Sequence, residues 1–71
     1  MTGPSIRVTL NGAERDVAAG TTVLSLLEQA GVDRRRCAVE VNLEVVPKTR
    51  HGERVLAPGD RVEVVTMVGG G

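Results

Sequence analysis

The sequence contains no phenylalanine, tyrosine or tryptophan. Binders of single-stranded nucleic acid usually stack bases on such rings, so that platform is missing. An excess of charge is missing too. Nine basic residues cancel nine acidic ones, which leaves no broad positive field for nucleic acid or an anionic membrane. A single cysteine forms no internal disulfide and fits a reducing compartment. The opening MTGPSIRVTL lacks the basic start and apolar run of a signal peptide, and no stretch approaches the roughly 18 apolar residues of a membrane span. These absences predict a cytoplasmic protein that engages neither nucleic acid nor membrane.

What is present suits one small domain over residues 1–71. Hydrophobic residues make up 41% of the chain, so a core of Val, Leu, Ile, Met and Ala is available. A core of this size supplies only about 3 to 5 kcal/mol and leaves little room for an enclosed catalytic pocket.

Residues 1–4 read as a loose arm. From Ser5, Ile6, Val8 and Leu10 alternate with Arg7 and Thr9, the pattern of a half-buried strand. Asn11-Gly12 favours a type I′ hairpin turn into a second strand over 13–18. Gly20 breaks the pattern, and Thr21 or Thr22 can cap a helix in which Val23, Leu26, Leu27 and Ala30 form one apolar stripe. Gly31 sits where a left-handed residue ends a helix. After a charged connector over 33–36, Cys37, Val39 and Val41 alternate along a third strand. Residues 43–50, with Pro47, read as irregular, with a short turn or strand at 44–46, and 53–56 as a short edge strand. Pro58-Gly59 fits a type II turn before a final strand over 61–68. This order predicts an α+β fold of the β-grasp, ubiquitin-like kind: a mixed four- to five-stranded sheet packed on one main helix, with a flexible tail at 69–71.

The last strand places Val65 and Met67 on the face away from the helix, where an exposed apolar pair can dock a partner or be covered by the loop at 43–46. Val68 joins them as a docking candidate. Gly69, Gly70 and Gly71 admit three readings: an inert end, a linker, or a substrate. Glycine lacks Cβ, so an extended run can thread a narrow channel in another protein. Three residues reach roughly 10 Å, enough to present the Gly71 carboxylate in a partner's active site.

CAVEVNLEVVP, followed by Lys48, resembles the strand, Asn and Val-Val-Pro segment of the thiamine-biosynthesis sulfur-carrier family, ThiS. LAPGDRVEVV resembles that family's turn and last strand, and TMVGGG its terminus. NGAERDV and TTVLSLLEQAGV are similar to its opening hairpin and helix. His51 departs from the pattern, standing near where many relatives carry Trp. The resemblance implies a protein cosubstrate, not an enzyme. An adenylating enzyme of the ubiquitin-activating type would activate the Gly71 carboxylate, a cysteine desulfurase would supply the sulfur for a thiocarboxylate, and thiazole synthase would take it. ATP and Mg²⁺ would be bound by the partner, since the chain has no phosphate loop and no metal cluster. A carrier that docks on successive enzymes is expected to be a monomer. The alternatives are a molybdopterin synthase small subunit, a protein-conjugating modifier, and a β-grasp binding module for which the tail is dispensable.

The remaining polar residues read more plainly. Cys37 shares parity with Val39 and Val41 and reads as core. His51 has no second ligand at metal spacing. Arg34, Arg35 and Arg36 read as a solvated connector, with contact to an acidic partner as the lesser reading. Asp60 orders its turn. Glu14 and Asp16 lack a partner base, and no nucleophile, base and oxyanion hole can be assembled.

Overall fold

The computed structural model describes residues 3–67. Strands β1 (Ser5–Leu10) and β2 (Ala13–Ala18) pair antiparallel, with Ile6 opposite Val17 and Leu10 opposite Ala13. The turn between them has φ of +50° at Asn11 and +84° at Gly12, which only glycine and a few polar residues adopt at low cost. The predicted arm is tied down at its inner end, where the Pro4 carbonyl accepts from the Ala19 N–H at 3.0 Å.

Helix α1 spans Val23–Gln29, with Thr22 as its cap: the Thr22 Oγ1 accepts from the Ser25 N–H at 3.1 Å. Thr21 is buried instead and its carbonyl accepts from Leu56 N–H. At the other end, Gly31 takes φ +74°. Its N–H bonds Glu28 O at 3.2 Å while Val32 N–H bonds Leu27 O at 3.0 Å, the paired bonds of a Schellman stop. The predicted stripe is the buried one: Val23, Leu26 and Leu27 are fully covered.

Beyond a 3₁₀ turn at Arg34–Arg36 come β3 (Cys37–Val41) and β4 (Glu44–Val46), then a second 3₁₀ turn at Lys48–Arg50 and finally β5 (Arg61–Thr66). The five strands lie in the order β2-β1-β5-β3-β4. β5 is central, parallel to β1 and antiparallel to β3. Parallel neighbours need a long crossover, and α1 with its following segments supplies it. The helix covers one face of the sheet, meeting Val8, Val17, Val39, Val41 and Val62, with Cys37, Val46 and Leu56 closing the same core. This is the α+β, ubiquitin-like architecture that the pattern predicts.

Two sequence expectations change. Residues 53–56 form no strand; Val55 makes only an isolated bridge to Thr22. The segment instead clasps the helix entry, with Val23 N–H donating to Arg54 O at 3.0 Å and Leu56 N–H to Thr21 O at 2.9 Å. Its backbone groups are therefore satisfied away from the sheet edge. The last strand ends at Thr66, one residue before Met67, where the expected strand over 61–68 still ran; Met67 keeps a backbone bond to Arg36, and Val68 lies outside the described residues.

Two asparagine side chains lock β5 in place. Asn11 acts as a substitute peptide group, accepting from Val64 N–H at 2.7 Å and donating to Val64 O at 3.2 Å. Asn42, at φ +53°, accepts from Arg61 N–H and donates to Asp60 Oδ1, each at 3.0 Å. The second oxygen of buried Asp60 accepts from Ala57 N–H at 2.8 Å, closing the turn that enters β5. Replacing Asn42 by glycine keeps the backbone conformation and removes only the side-chain bonds, so stability should fall by about 1 to 2 kcal/mol. Asn42→Ala adds a left-handed penalty of about 1 kcal/mol. Urea unfolding checks both, and a glycine variant as stable as the parent would show that the clamp contributes nothing.

Candidate functional site

The site is built around the point where the chain leaves the sheet. Thr66 pairs with Cys37, the first residue of β3, and Met67 N–H then donates to Arg36 O at 2.7 Å. The root of the C-terminal segment is thus held against the Arg34–Arg36 turn. Val68, Gly69, Gly70 and Gly71, the expected docking and tail residues, lie outside the described residues.

Local chemistry explains that turn. Asp33 Oδ1 accepts from Arg35 N–H at 3.0 Å and caps it. That backbone bond, helped by the Arg35 side chain, holds the Asp33 carboxyl below the ordinary aspartate range. Lys48, from the second 3₁₀ turn, donates its Nζ to Arg35 O at 2.8 Å. A small hollow of about 180 Å³ lies here, lined by Arg34, Arg35, Lys48 and His51. The sequence shows an arginine run but not that Lys48 joins it, because the pairing spans residues far apart in the chain.

His51 lies under this turn, 2% exposed, with Nε2 donating to Val46 O at 3.0 Å. Its ring fills space in a chain that has no aromatic residue for the purpose. Cys37 is 1% exposed among the core side chains, with Sγ 3.8 Å from Arg34 O. A thiol so covered is a packing group, which disfavours its use as a sulfur relay.

The outward face of the sheet is divided. On its β1–β2 half, Arg7 pairs with Asp16 at 2.9 Å and Glu14 at 3.4 Å. The hydrogen bond to Arg7, with its charge, holds Asp16 below the ordinary range, and the same bond raises Arg7. On the other half, Val45, Val65 and Met67 are exposed. Val65 stands beside Ala38 of β3, whose small side chain leaves it open, while Glu40 lies between Val45 and Glu63. The alternation of β5 therefore does expose Val65 and Met67. The loop at 43–46 does not cover them; Leu43 and Val45 are themselves turned out. A wider groove of about 430 Å³ runs along β4, lined by residues including Val41, Val45, Arg50 and Arg54. Among the described residues, no group of three His, Cys, Asp or Glu could hold a metal, and no helix is long and apolar enough to cross a membrane.

The geometry of a β-grasp whose last strand leads into a glycine run agrees with known proteins. The model of the ThiS family matches residues 8–71. The chain belongs to the ThiS family. The crystal structure of the thiamine biosynthesis protein ThiS from Geobacter metallireducens superposes with a TM-score of 0.79 at 30% identity, covering 93% of this chain and 100% of that one. The sulfur carrier protein ThiS of Escherichia coli is 27% identical over 93% of this chain and 100% of its own length. A thiazole synthase of Paramagnetospirillum magneticum is 44% identical over 93% of this chain, but the chain spans only 20% of that protein's length. Within this ThiS-family chain, the structure brings Val65 and Met67 to the tail root together with Arg36, and leaves Cys37 and His51 inside.

Proposed function

We propose that this chain is a sulfur carrier of thiamine biosynthesis, and that the Gly71 carboxylate carries the sulfur. The observation that carries the reading is the family match, which runs through Gly69, Gly70 and Gly71 to residue 71. A carboxylate is a poor electrophile. Its attack on the α-phosphorus of ATP, with Mg²⁺, releases pyrophosphate and gives an acyl-adenylate. The terminal sulfur of a persulfide, formed from cysteine by a desulfurase, then displaces AMP to give an acyl disulfide. A second thiol attacks the far sulfur of that bond, releasing the thiocarboxylate and leaving a disulfide between the two thiols. ATP and Mg²⁺ belong to the adenylating enzyme, of the ubiquitin-activating type. Thiazole synthase takes the sulfur and returns the carboxylate. A thiazole synthase that contains a segment similar to this chain supports that acceptor.

In this reading Gly69 and Gly70 thread the partner's channel, since a side chain at either would widen the strand that must pass. Val65 and Met67, both exposed at the tail root, dock the body of the carrier outside; Val68, next in sequence, is the third docking residue of this reading. The chain itself supplies no catalytic group.

The test is an intact mass after incubation with ATP, Mg²⁺, the adenylating enzyme, a cysteine desulfurase and cysteine. The expected result is a species heavier by the difference between sulfur and oxygen, located at Gly71. Absence of that species, with the enzymes active on another ThiS protein, would reject the proposal.

A further inference from the structure

The chain is neutral overall, yet its charges are unevenly placed. Arg34, Arg35 and Arg36 follow one another in an exposed 3₁₀ turn, and Lys48 is drawn to the same turn by its bond to Arg35 O. Among the contacts described, only Asp33 pairs with this group, through Arg35 at 3.4 Å. Like charges so close repel one another and favour a site where anions can gather. The turn is also fixed to the root of the C-terminal segment, because Arg36 O accepts from Met67 N–H at 2.7 Å. Whatever receives the glycines must therefore pass close to these cations.

We propose that Arg34, Arg35, Arg36 and Lys48 form a cationic collar that docks on an acidic protein surface around the mouth of the channel that receives the tail. This rests on the tail being activated by a partner, as argued above. The collar then has two effects. It steers the encounter by long-range attraction, and it sets the rotation of the carrier about its tail, which the glycines alone do not fix. The apolar residues Val65 and Met67 lie on the outward sheet face beside it, so cations and apolar contacts meet the partner together. An acidic protein is favoured over a polyphosphate chain such as RNA because the cluster is confined to one turn and Lys48, and no aromatic ring stands by to stack bases.

The experiment measures steady-state adenylation of the carrier by the ubiquitin-activating-type enzyme of the same organism, read as pyrophosphate release. Arg34→Ala/Arg36→Ala is compared with the parent, and with Ala13→Glu/Ala18→Glu on β2 at the opposite sheet edge, which shifts the net charge by the same amount. Circular dichroism establishes that each is folded. The collar variant is expected to raise KM for the carrier about tenfold with kcat little changed, and the β2 variant to change it far less. KM of the parent should rise with salt, and that dependence should flatten in the collar variant. Salt dependence of the parent stands as a second measurement if the collar variant is poorly folded. A collar variant with the KM of the β2 variant, or a parent KM indifferent to salt, overturns the collar. Failure of the parent to release pyrophosphate with an enzyme active on another ThiS protein overturns the sulfur-carrier reading, and the collar with it.

Discussion

Removal of Gly70 and Gly71 is expected to abolish sulfur loading while leaving the folded domain as stable as before. The chemistry requires a carboxylate delivered to the α-phosphorus of ATP, and the two residues set how far it extends. Each extended residue spans about 3.3 to 3.6 Å, so the shortened chain holds its carboxylate about 7 Å short of the reacting phosphorus. A displacement of about 1 Å can already cost two orders of magnitude in rate, so the loss should be complete within detection. The fold should not respond, because the buried core lies between Val8 and Val62. Gly71→Val separates reach from width: it keeps the length and adds a branched side chain at the reacting residue. Both variants should unfold at the parent's urea midpoint and give no mass increase in the loading assay. Normal loading of either would remove the threaded-tail mechanism, and a β-grasp binding module would then be the better account.

Replacement of Leu26 by alanine is expected to cost most of the stability of the domain. Leu26 is 0% exposed and sits at the centre of the only α-helix among the described residues, between Val23 and Leu27 on the buried stripe. Truncating a buried leucine costs about 2 to 5 kcal/mol, the spread reflecting how far neighbours can close the cavity. A core of this size supplies about 3 to 5 kcal/mol, so the two magnitudes are comparable. The core holds no Phe, Tyr or Trp, so the helix is anchored by aliphatic side chains alone and each one removed is a larger share of its packing. Urea unfolding followed by circular dichroism should show a midpoint far below the parent's, with part of the population unfolded without denaturant. A loss under about 1 kcal/mol would mean that the stripe is not the main contact between helix and sheet. Leu26→Met, close in volume, should cost less than about 1.5 kcal/mol and serves as the control.

These two variants act on different parts of the molecule. Tail deletion removes reaction without touching the core, and core truncation removes the platform that holds the tail root. A Leu26→Ala protein that still loads sulfur at low temperature would be consistent with both, because only the folded fraction presents Met67 against Arg36.

The local elements were legible in the order of residues alone, because their causes are local. Alternation at Ile6, Val8 and Leu10, the Asn11-Gly12 turn, the stripe from Val23 to Leu27, and the stop at Gly31 each arise from residues within a few positions of one another, and each appears in the structure as read. The parity of β5 likewise decided that Val65 and Met67 face outward once a helix covers the other face. What depends on distant pairs emerged with the folded chain. Folding placed residues 53–56 against the helix entry, where their amides find partners, and not on a sheet edge. It turned Asn11 and Asn42 into clamps on β5, 53 residues away for Asn11 and Val64. It buried His51, and it brought Lys48 and Met67 to the same arginine turn. Side-chain periodicity fixes which way a residue points within its own element, but which elements meet is set by burial and hydrogen bonding summed over the whole chain, and that sum is settled only when the chain has closed on itself.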